Sequence, residues 1–192
     1  MNILNVGYDS ANYYLLEPEK TGLLVDTGWP GSLPRFAATL KRKGLGLQQV
    51  RYLLCTHYHP DHAGLAQELK AQGVRLIVLD RQLSGLSDLG RFMKPANHFQ
   101  EISPQGNLQL TAAESRAFLR SLGLAGEIIY TPGHSDDSVS LLLDEGLAFT
   151  GDALTPTQVP ASQDQVEKIW VALRSHGVKT VFPGHGPLIE LC

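Results

Sequence analysis

Apolar residues along the chain fall into short runs punctuated by Gly, Asp and Pro. Runs at residues 3–6, 12–16, 23–26, 50–55, 76–79, 128–131, 139–143, 148–150 and 180–182 read as strands. Between them the apolar spacing changes to the period of a helix. In residues 162–176, Val166, Ile169, Trp170 and Leu173 recur at i, i+3, i+4 and i+7; Ser162 with Gln165 makes a capping box, and Gly177 supplies the stop. A second box, Thr111 with Glu114, opens a helix that puts Phe118, Leu119 and Leu122 on one side before Gly123. Leu33, Phe36, Ala37 and Leu40 give another, closed by Gly44, and residues 65–72 give a short one. Hairpins are thus mixed with crossovers, the order expected of an α/β domain with two packed sheets flanked by helices. Residues 80–107 resist assignment, because Gly85, Gly90 and Pro95 break every helical frame. The segment reads as a loop-rich insertion, a kind that often covers sites.

Length and composition narrow the class. A chain of 192 residues, 43% hydrophobic and 18% charged, suits one domain over residues 1–192. It buries about 70% of its unfolded surface at this size and needs no disulfide or metal simply to fold. The formal charge of −3, with Lys41-Arg42-Lys43 as the one basic cluster, argues against a nucleic-acid partner. Cys55 and Cys192 are too few and too far apart for a disulfide framework, so a cytoplasmic location is the expectation. The longest uninterrupted apolar run, residues 169–173, is too short for a membrane span, and no leader pattern precedes residue 7.

The histidines carry the chemistry. Directly after the run ending at Cys55 stands Thr56-His57-Tyr58-His59-Pro60-Asp61-His62-Ala63-Gly64. With seven His in the chain, an H-x-H-x-D-H pattern arises by chance in roughly 5 of 10,000 such sequences. In an extended segment His57 and His59 share a face and can serve one ion. Asp61 and His62 sit where the chain turns into a helix, displaced towards a second. Three more polar residues follow strand ends beside glycine: His134 in Pro132-Gly133-His134, Asp152 in Gly151-Asp152, and His185 in Pro183-Gly184-His185. Seven imidazole and carboxylate groups at strand ends make a two-metal site, with one carboxylate able to bridge. Such ligands suit zinc, with iron or manganese as alternatives, and not calcium or magnesium.

These segments resemble the metallo-β-lactamase superfamily, in order and across residues 26–186. The resemblance implies a four-layer αββα sandwich. It implies that His57, His59 and His134 hold a first divalent ion, that Asp61, His62 and His185 hold a second, and that Asp152 bridges them. Asp26, in Val25-Asp26-Thr27-Gly28, matches an early Asp of the family that supports the site from behind. The β-lactamases themselves commonly carry Cys or Ser at the position of Asp152, and flavodiiron members carry Glu at that of His59. The glyoxalase II type shares the all-His and Asp set but appends a helical thiol-binding domain, whereas this sequence ends six residues after Gly186. The implied activity is hydrolysis of a small ester, thioester or lactone by a hydroxide held between two metal ions, with Asp61 orienting it or taking its proton. Two alternatives are a phosphodiester hydrolase and a single-iron persulfide dioxygenase that would use the first-site ligands alone. The expected partner is a small-molecule substrate, without nucleic acid or membrane; oligomeric state and substrate identity are left open.

Plainer roles fit the remaining polar residues. His176 suits a helix C-terminus, and His98 lies in the insertion. Asp61 can cap the following helix as well as bind metal. Tyr58, pointing away from its neighbouring histidines, and Cys55, inside a strand, read as packing. Asp136 and Asp137 read as loop residues, with Ser135 or Asp136 in position to orient His134 through its second nitrogen.

Overall fold

A strand such as Leu23-Leu24-Val25, apolar at successive positions, makes sense only if both of its faces are buried. The computed structural model, which describes residues 1–17, 22–94, 98–155 and 164–191, has that arrangement. Six strands, β1 (Asn2–Asn5), β2 (Tyr14–Glu17), β3 (Gly22–Val25), β4 (Val50–Leu54), β5 (Arg75–Leu79) and β6 (Leu108–Leu110), form one sheet in that order. Its first two pairings are antiparallel and the remaining three parallel. The second sheet runs β11 (Ile189–Glu190), β10 (Thr180–Pro183), β9 (Leu147–Gly151), β8 (Val139–Leu143) and β7 (Gly126–Tyr130), with β9 and β10 parallel.

The two-residue period sorts adjacent side chains into different cores. Leu15, Leu24, Leu53, Leu76 and Val78 pack outward against Phe36 and Leu40 of α1 (Leu33–Arg42) and Leu69 of α3 (Ala66–Ala71). Their neighbours Leu16, Leu23, Leu54, Ile77 and Leu79 face inward, against Ile128, Leu141, Leu143 and Phe149 of the second sheet. On the far side of that sheet, Leu142, Ala148 and Val181 meet Val166, Ile169, Trp170 and Leu173 of α6 (Asp164–Ser175). The result is the expected αββα sandwich. Helix α5 (Ala112–Ser121) packs on β7 and β6, and its Ser115 hydroxyl accepts the Ile128 N–H (2.9 Å). That bond satisfies a donor on an edge strand that would otherwise be open to pairing.

Helix signals in the sequence hold where they are described. The Thr111–Glu114 capping box is present at the start of α5, and Gly123 and Gly177 close α5 and α6 at positive φ. The box expected from Ser162 and Gln165 lies outside the described residues. Two departures concern short elements. Residues 80–92 are helical, a turn over Asp80–Gln82 followed by α4 (Leu83–Asp88) and a second turn over Leu89–Phe92. Packing overrides the low helix propensity of glycine at Gly85, which is buried where a Cβ would come within 2.5 Å of Asp137 Oδ2 and 3.0 Å of Tyr58 Cδ2. Strands β6 and β11 have three and two residues, too few to show alternation. Among the described residues no helix is long and apolar enough to cross a membrane.

Phe149 is fully buried between the sheets, stacked on Phe182 (4.7 Å between centroids) and edge-on to Tyr14 (5.4 Å). Phe149→Ala is therefore expected to destabilise the domain by about 3–5 kcal/mol, read as a lower denaturation midpoint in urea with the slope unchanged.

Candidate metal centre

The histidines and aspartates singled out in the sequence meet at one edge of the sandwich, because each follows the C-terminal end of a strand. Asp26 leaves β3; His57, His59, Asp61 and His62 follow β4; His134 follows β7, Asp152 follows β9, and His185 follows β10. The β4 exit feeds α2 (Pro60–Ala63), in which Pro60 occupies the first turn and Asp61 the acidic N-terminal position. Parallel and antiparallel strands of two sheets thus deliver their ends to a common rim.

Three sets of ligand atoms lie within 4.8 Å of one another: His57, His59 and His134; Asp61, His62 and His185; and His57, His62 and Asp152. All seven proposed ligands are included, and the first two sets are the two triads that the family resemblance implied. His59 Nδ1 faces His134 Nε2 at 3.0 Å, and His62 Nε2 faces His185 Nε2 at 3.3 Å. Asp152 stands between the triads. Its Oδ1 is 3.3 Å from His62 Nε2, and its Oδ2 is 3.5 Å from His185 Nε2 and 3.8 Å from His134 Nε2. Asp61 Oδ2 lies 3.3 Å from His185 Nε2 and 3.7 Å from His62 Nε2.

This donor set fits a metal. His57 is 1% exposed, and its Nε2 is buried without a hydrogen-bond partner. Buried polar atoms in native folds are otherwise nearly always paired, and a cation shared with the neighbouring imidazoles would supply what this nitrogen lacks. Three of the imidazoles are held from behind through their other ring nitrogen, the support that metal-ligating histidines commonly have. Thr56 Oγ1 lies 3.2 Å from His57 Nδ1, Asp26 Oδ2 2.9 Å from His62 Nδ1, and the Ser10 carbonyl 2.7 Å from His185 Nδ1.

Asp26 has the supporting place expected of it. It is 2% exposed with φ of 62°, and accepts from Thr56 N–H (2.6 Å), Thr56 Oγ1 (2.9 Å) and His62 Nδ1. Gly184 explains the glycine beside His185: a Cβ there would come within 2.5 Å of Asp152 Oδ1 and 2.6 Å of His62 Cε1. Tyr58 and Cys55 are buried in the outer core, as packing residues are. His176 Nδ1 donates to the Ala172 carbonyl at the end of α6, and His98 is exposed. The Ser135 hydroxyl pairs with Ser138 (2.7 Å) in the turn that carries His134.

Three residues with a part in the site gave no sequence signal. Gln82 is fully buried, and its amide donates to the carbonyls of Cys55 (3.0 Å), Thr56 (3.4 Å) and Asp137 (3.1 Å), fastening the β4 exit to the loop that carries His134. Asp137 accepts the Tyr58 N–H (2.7 Å), a contact between residues far apart in sequence where a residue capping or solvating a loop was expected. Phe92 sets its ring edge-on to His59 at 5.0 Å. The insertion therefore does border the site, through its helical part.

Burial and the neighbouring imidazoles hold His57 well below the ordinary histidine range and therefore neutral. Burial opposes charge on His62 too, yet the carboxylates of Asp26 and Asp152 overcome it and raise His62 to about 10. Burial would raise Asp152, but the adjacent His62, His185 and His134 bring it below the usual carboxylate value. The metal-free cluster thus stores a proton on His62, between two carboxylates.

A family model described as the metallo-beta-lactamase superfamily matches residues 6–185, and the chain belongs to that superfamily. It is 28% identical over 187 residues to a beta-lactamase-like protein 2 homolog of Drosophila melanogaster, covering 93% of this chain and 59% of that protein. It is 25% identical over 196 residues to a probable metallo-hydrolase of Methanocaldococcus jannaschii, covering 95% and 90% respectively. Apart from the archaeal protein, the chain spans between 36% and 60% of the length of these curated relatives. Among solved structures, a metallo-beta-lactamase family protein from Thermus thermophilus superposes with a TM-score of 0.76 at 23% identity, over 98% of this chain and 74% of that one.

Two outcomes are expected. Asp26→Asn replaces one acceptor oxygen by a donor facing Thr56 or His62, and should weaken zinc binding about 10–100-fold, measured by competition with a chromophoric chelator. Because His62 is protonated below about pH 10 in the metal-free protein, an ion binding there displaces that proton. Zinc uptake at neutral pH should therefore release it, with affinity falling as the pH is lowered; calorimetric titration in buffers of different ionisation enthalpy measures the release.

Proposed function

We propose that the chain is a dinuclear metal-dependent hydrolase acting on a small ester, thioester or lactone. Its superfamily consists mostly of metal-dependent hydrolases. The observation that carries the finer reading is the pair of triads, one of three histidines and one of two histidines and an aspartate, with Asp152 within 4 Å of residues from both. His57, His59 and His134 would hold one ion and Asp61, His62 and His185 the other, with Asp152 shared and zinc the leading candidate. Two such ions supply a water made acidic enough to attack at neutral pH and an electrophile for the scissile carbonyl oxygen.

The chain's own groups do the rest. Asp61 is partly exposed, at 27%, and presents its carboxylate at the mouth of the cluster, where it can orient the attacking water and accept its proton. A cavity of about 210 Å³ opens beside His134, Asp152 and His185 and is walled by Ala153, Leu154, Pro183 and Ile189. Trp170 Nε1 fixes one side by donating to the Leu154 carbonyl (2.7 Å). These apolar walls exclude water from one side of the substrate and give room for a short acyl group. On the opposite flank, a cavity of about 220 Å³ beside His59 is lined by Ser84, Asp88, Asp136 and Phe92. Carboxylates there disfavour polyanionic substrates, which weighs against phosphodiester hydrolysis.

Metal analysis and a panel of thioesters, lactones, esters and phosphodiesters test the proposal. Two zinc ions per chain with turnover of an acyl substrate is the expected result. One iron with oxygen uptake would instead indicate a dioxygenase. His59→Ala and Asp152→Ala should each lower hydrolysis at least about a hundredfold while circular dichroism stays unchanged; full activity in either variant would refute the ligand assignment.

A further inference from the structure

His185 reaches the cluster differently from the other ligands. His62 is fully buried on a helix and held by Asp26, whereas the His185 side chain is 37% exposed and stands in an irregular loop beyond β10. Its position is decided from the far end of the chain. The Ser10 carbonyl can only accept, so His185 Nδ1 donates in that 2.7 Å bond and Nε2 is the nitrogen turned towards Asp61, His62 and Asp152.

Ser10 belongs to a turn closed by a bridge between Tyr8 and Ala11, with Asp9 at φ of 60°; Ala11 makes a second bridge to His185 itself. The turn is anchored to α1 on one side. Arg35 grips both carboxylate oxygens of Asp9 (2.9 and 2.8 Å), and the Tyr8 hydroxyl pairs with Ser32 Oγ (2.6 Å). On the other side stands Asn12. Its backbone N–H donates to the Gly184 carbonyl (2.7 Å), and its side-chain Nδ2 donates to the carbonyls of Pro183 (3.0 Å) and Gly186 (2.9 Å). Asn12 Oδ1 accepts from Asn5 Nδ2 (2.8 Å), and Asn5 Oδ1 in turn accepts the Gly7 N–H (2.8 Å). Both amide hydrogens of Asn12 are thus engaged by the two carbonyls that bracket His185, and only one orientation of the amide satisfies those carbonyls and Asn5 Nδ2 together.

We propose that Asn12 is a positioning residue for His185, a clamp that fixes the loop at residues 183–186 so that the imidazole keeps its bond to Ser10 and offers Nε2 alone to the second metal ion. This inference rests on the proposed role of His185 as a second-ion ligand. Loops of this kind lose their geometry readily when few contacts hold them, and a ligand whose supporting bonds are removed binds metal more weakly.

The test is zinc titration of the full chain with a competing chromophoric chelator, together with ¹⁵N–¹H spectra that follow the His185 Nδ1–H in the zinc-free protein. Asn12→Asp keeps the shape but has no donor for Pro183 or Gly186. The second zinc should bind about 10–100-fold more weakly with the first unchanged, and His185 should lose its uniform Nδ1–H form. Unchanged binding of both ions and an unchanged Nδ1–H signal would overturn the proposal; so would equal weakening of both ions, which would mark a general loosening of the fold. His185→Ala separates the two levels. If it still takes up two zinc ions, His185 is not a ligand, and the clamp falls with that reading. If it loses the second ion while Asn12→Asp retains both, the clamp alone is wrong. Should Asn12→Asp fail to fold, Asn5→Ala, which frees Asn12 Oδ1 from the exposed side, decides: a smaller loss confined to the second zinc supports the clamp, and wild-type affinity refutes it.

Discussion

One buried carboxylate organises the rim of this molecule. Asp26 ends β3 in a left-handed backbone conformation and is almost wholly removed from solvent. A charge in that position is costly unless its oxygens are bonded. They are, to the Thr56 amide, the Thr56 hydroxyl and His62 Nδ1. Those bonds fix the exit of β4 relative to β3 and turn the opposite nitrogen of His62 towards Asp61, Asp152 and His185. Backbone bonds from Asp26 N–H to the Leu54 carbonyl and from Thr27 N–H to the His62 carbonyl repeat the same connection, so that orientation and support come from one place.

The second sheet must then arrive in register with the first. The inter-sheet core of leucine, isoleucine and Phe149 sets that distance, and bonds at the rim refine it: Val139 N–H to the Thr56 carbonyl, and Gln82 from the β4 exit to Asp137. The centre is therefore preorganised by apolar packing beneath it and by polar bonds around it. Its charges are not uniform. His57 is kept neutral by burial among other imidazoles, while His62 holds a proton between carboxylates. Such divergent tuning within one small cluster is what functional sites commonly show.

Much of this was legible in the sequence, and for identifiable reasons. Strands β3, β5 and β8 are apolar at almost every position, because both faces of their sheets are covered. The candidate ligands after β4 lie within six positions, so their spacing alone implied convergence, and Asp26, Asp152 and His185 declared themselves by following apolar runs. The helical turns over residues 80–92 were hidden because Gly85 and Gly90 are poor helix formers that packing overrides. Asn12, Gln82 and Asp137 were hidden for another reason. An isolated polar residue carries no period, and the Asn12 partners lie 171 and 174 positions away.

The sequence by itself determined the elements, the layers they form and the inventory of groups that can bind metal, since these follow from local periodicity, turn chemistry and the side chains present. Only the tertiary structure decided which nitrogen of each imidazole faces the cluster, which groups hold those imidazoles from behind, and how near Asp152 stands to both triads. Those are matters of distances below 4 Å between residues remote in the chain, fixed when two sheets close on a shared core and the buried donors at their rim find acceptors.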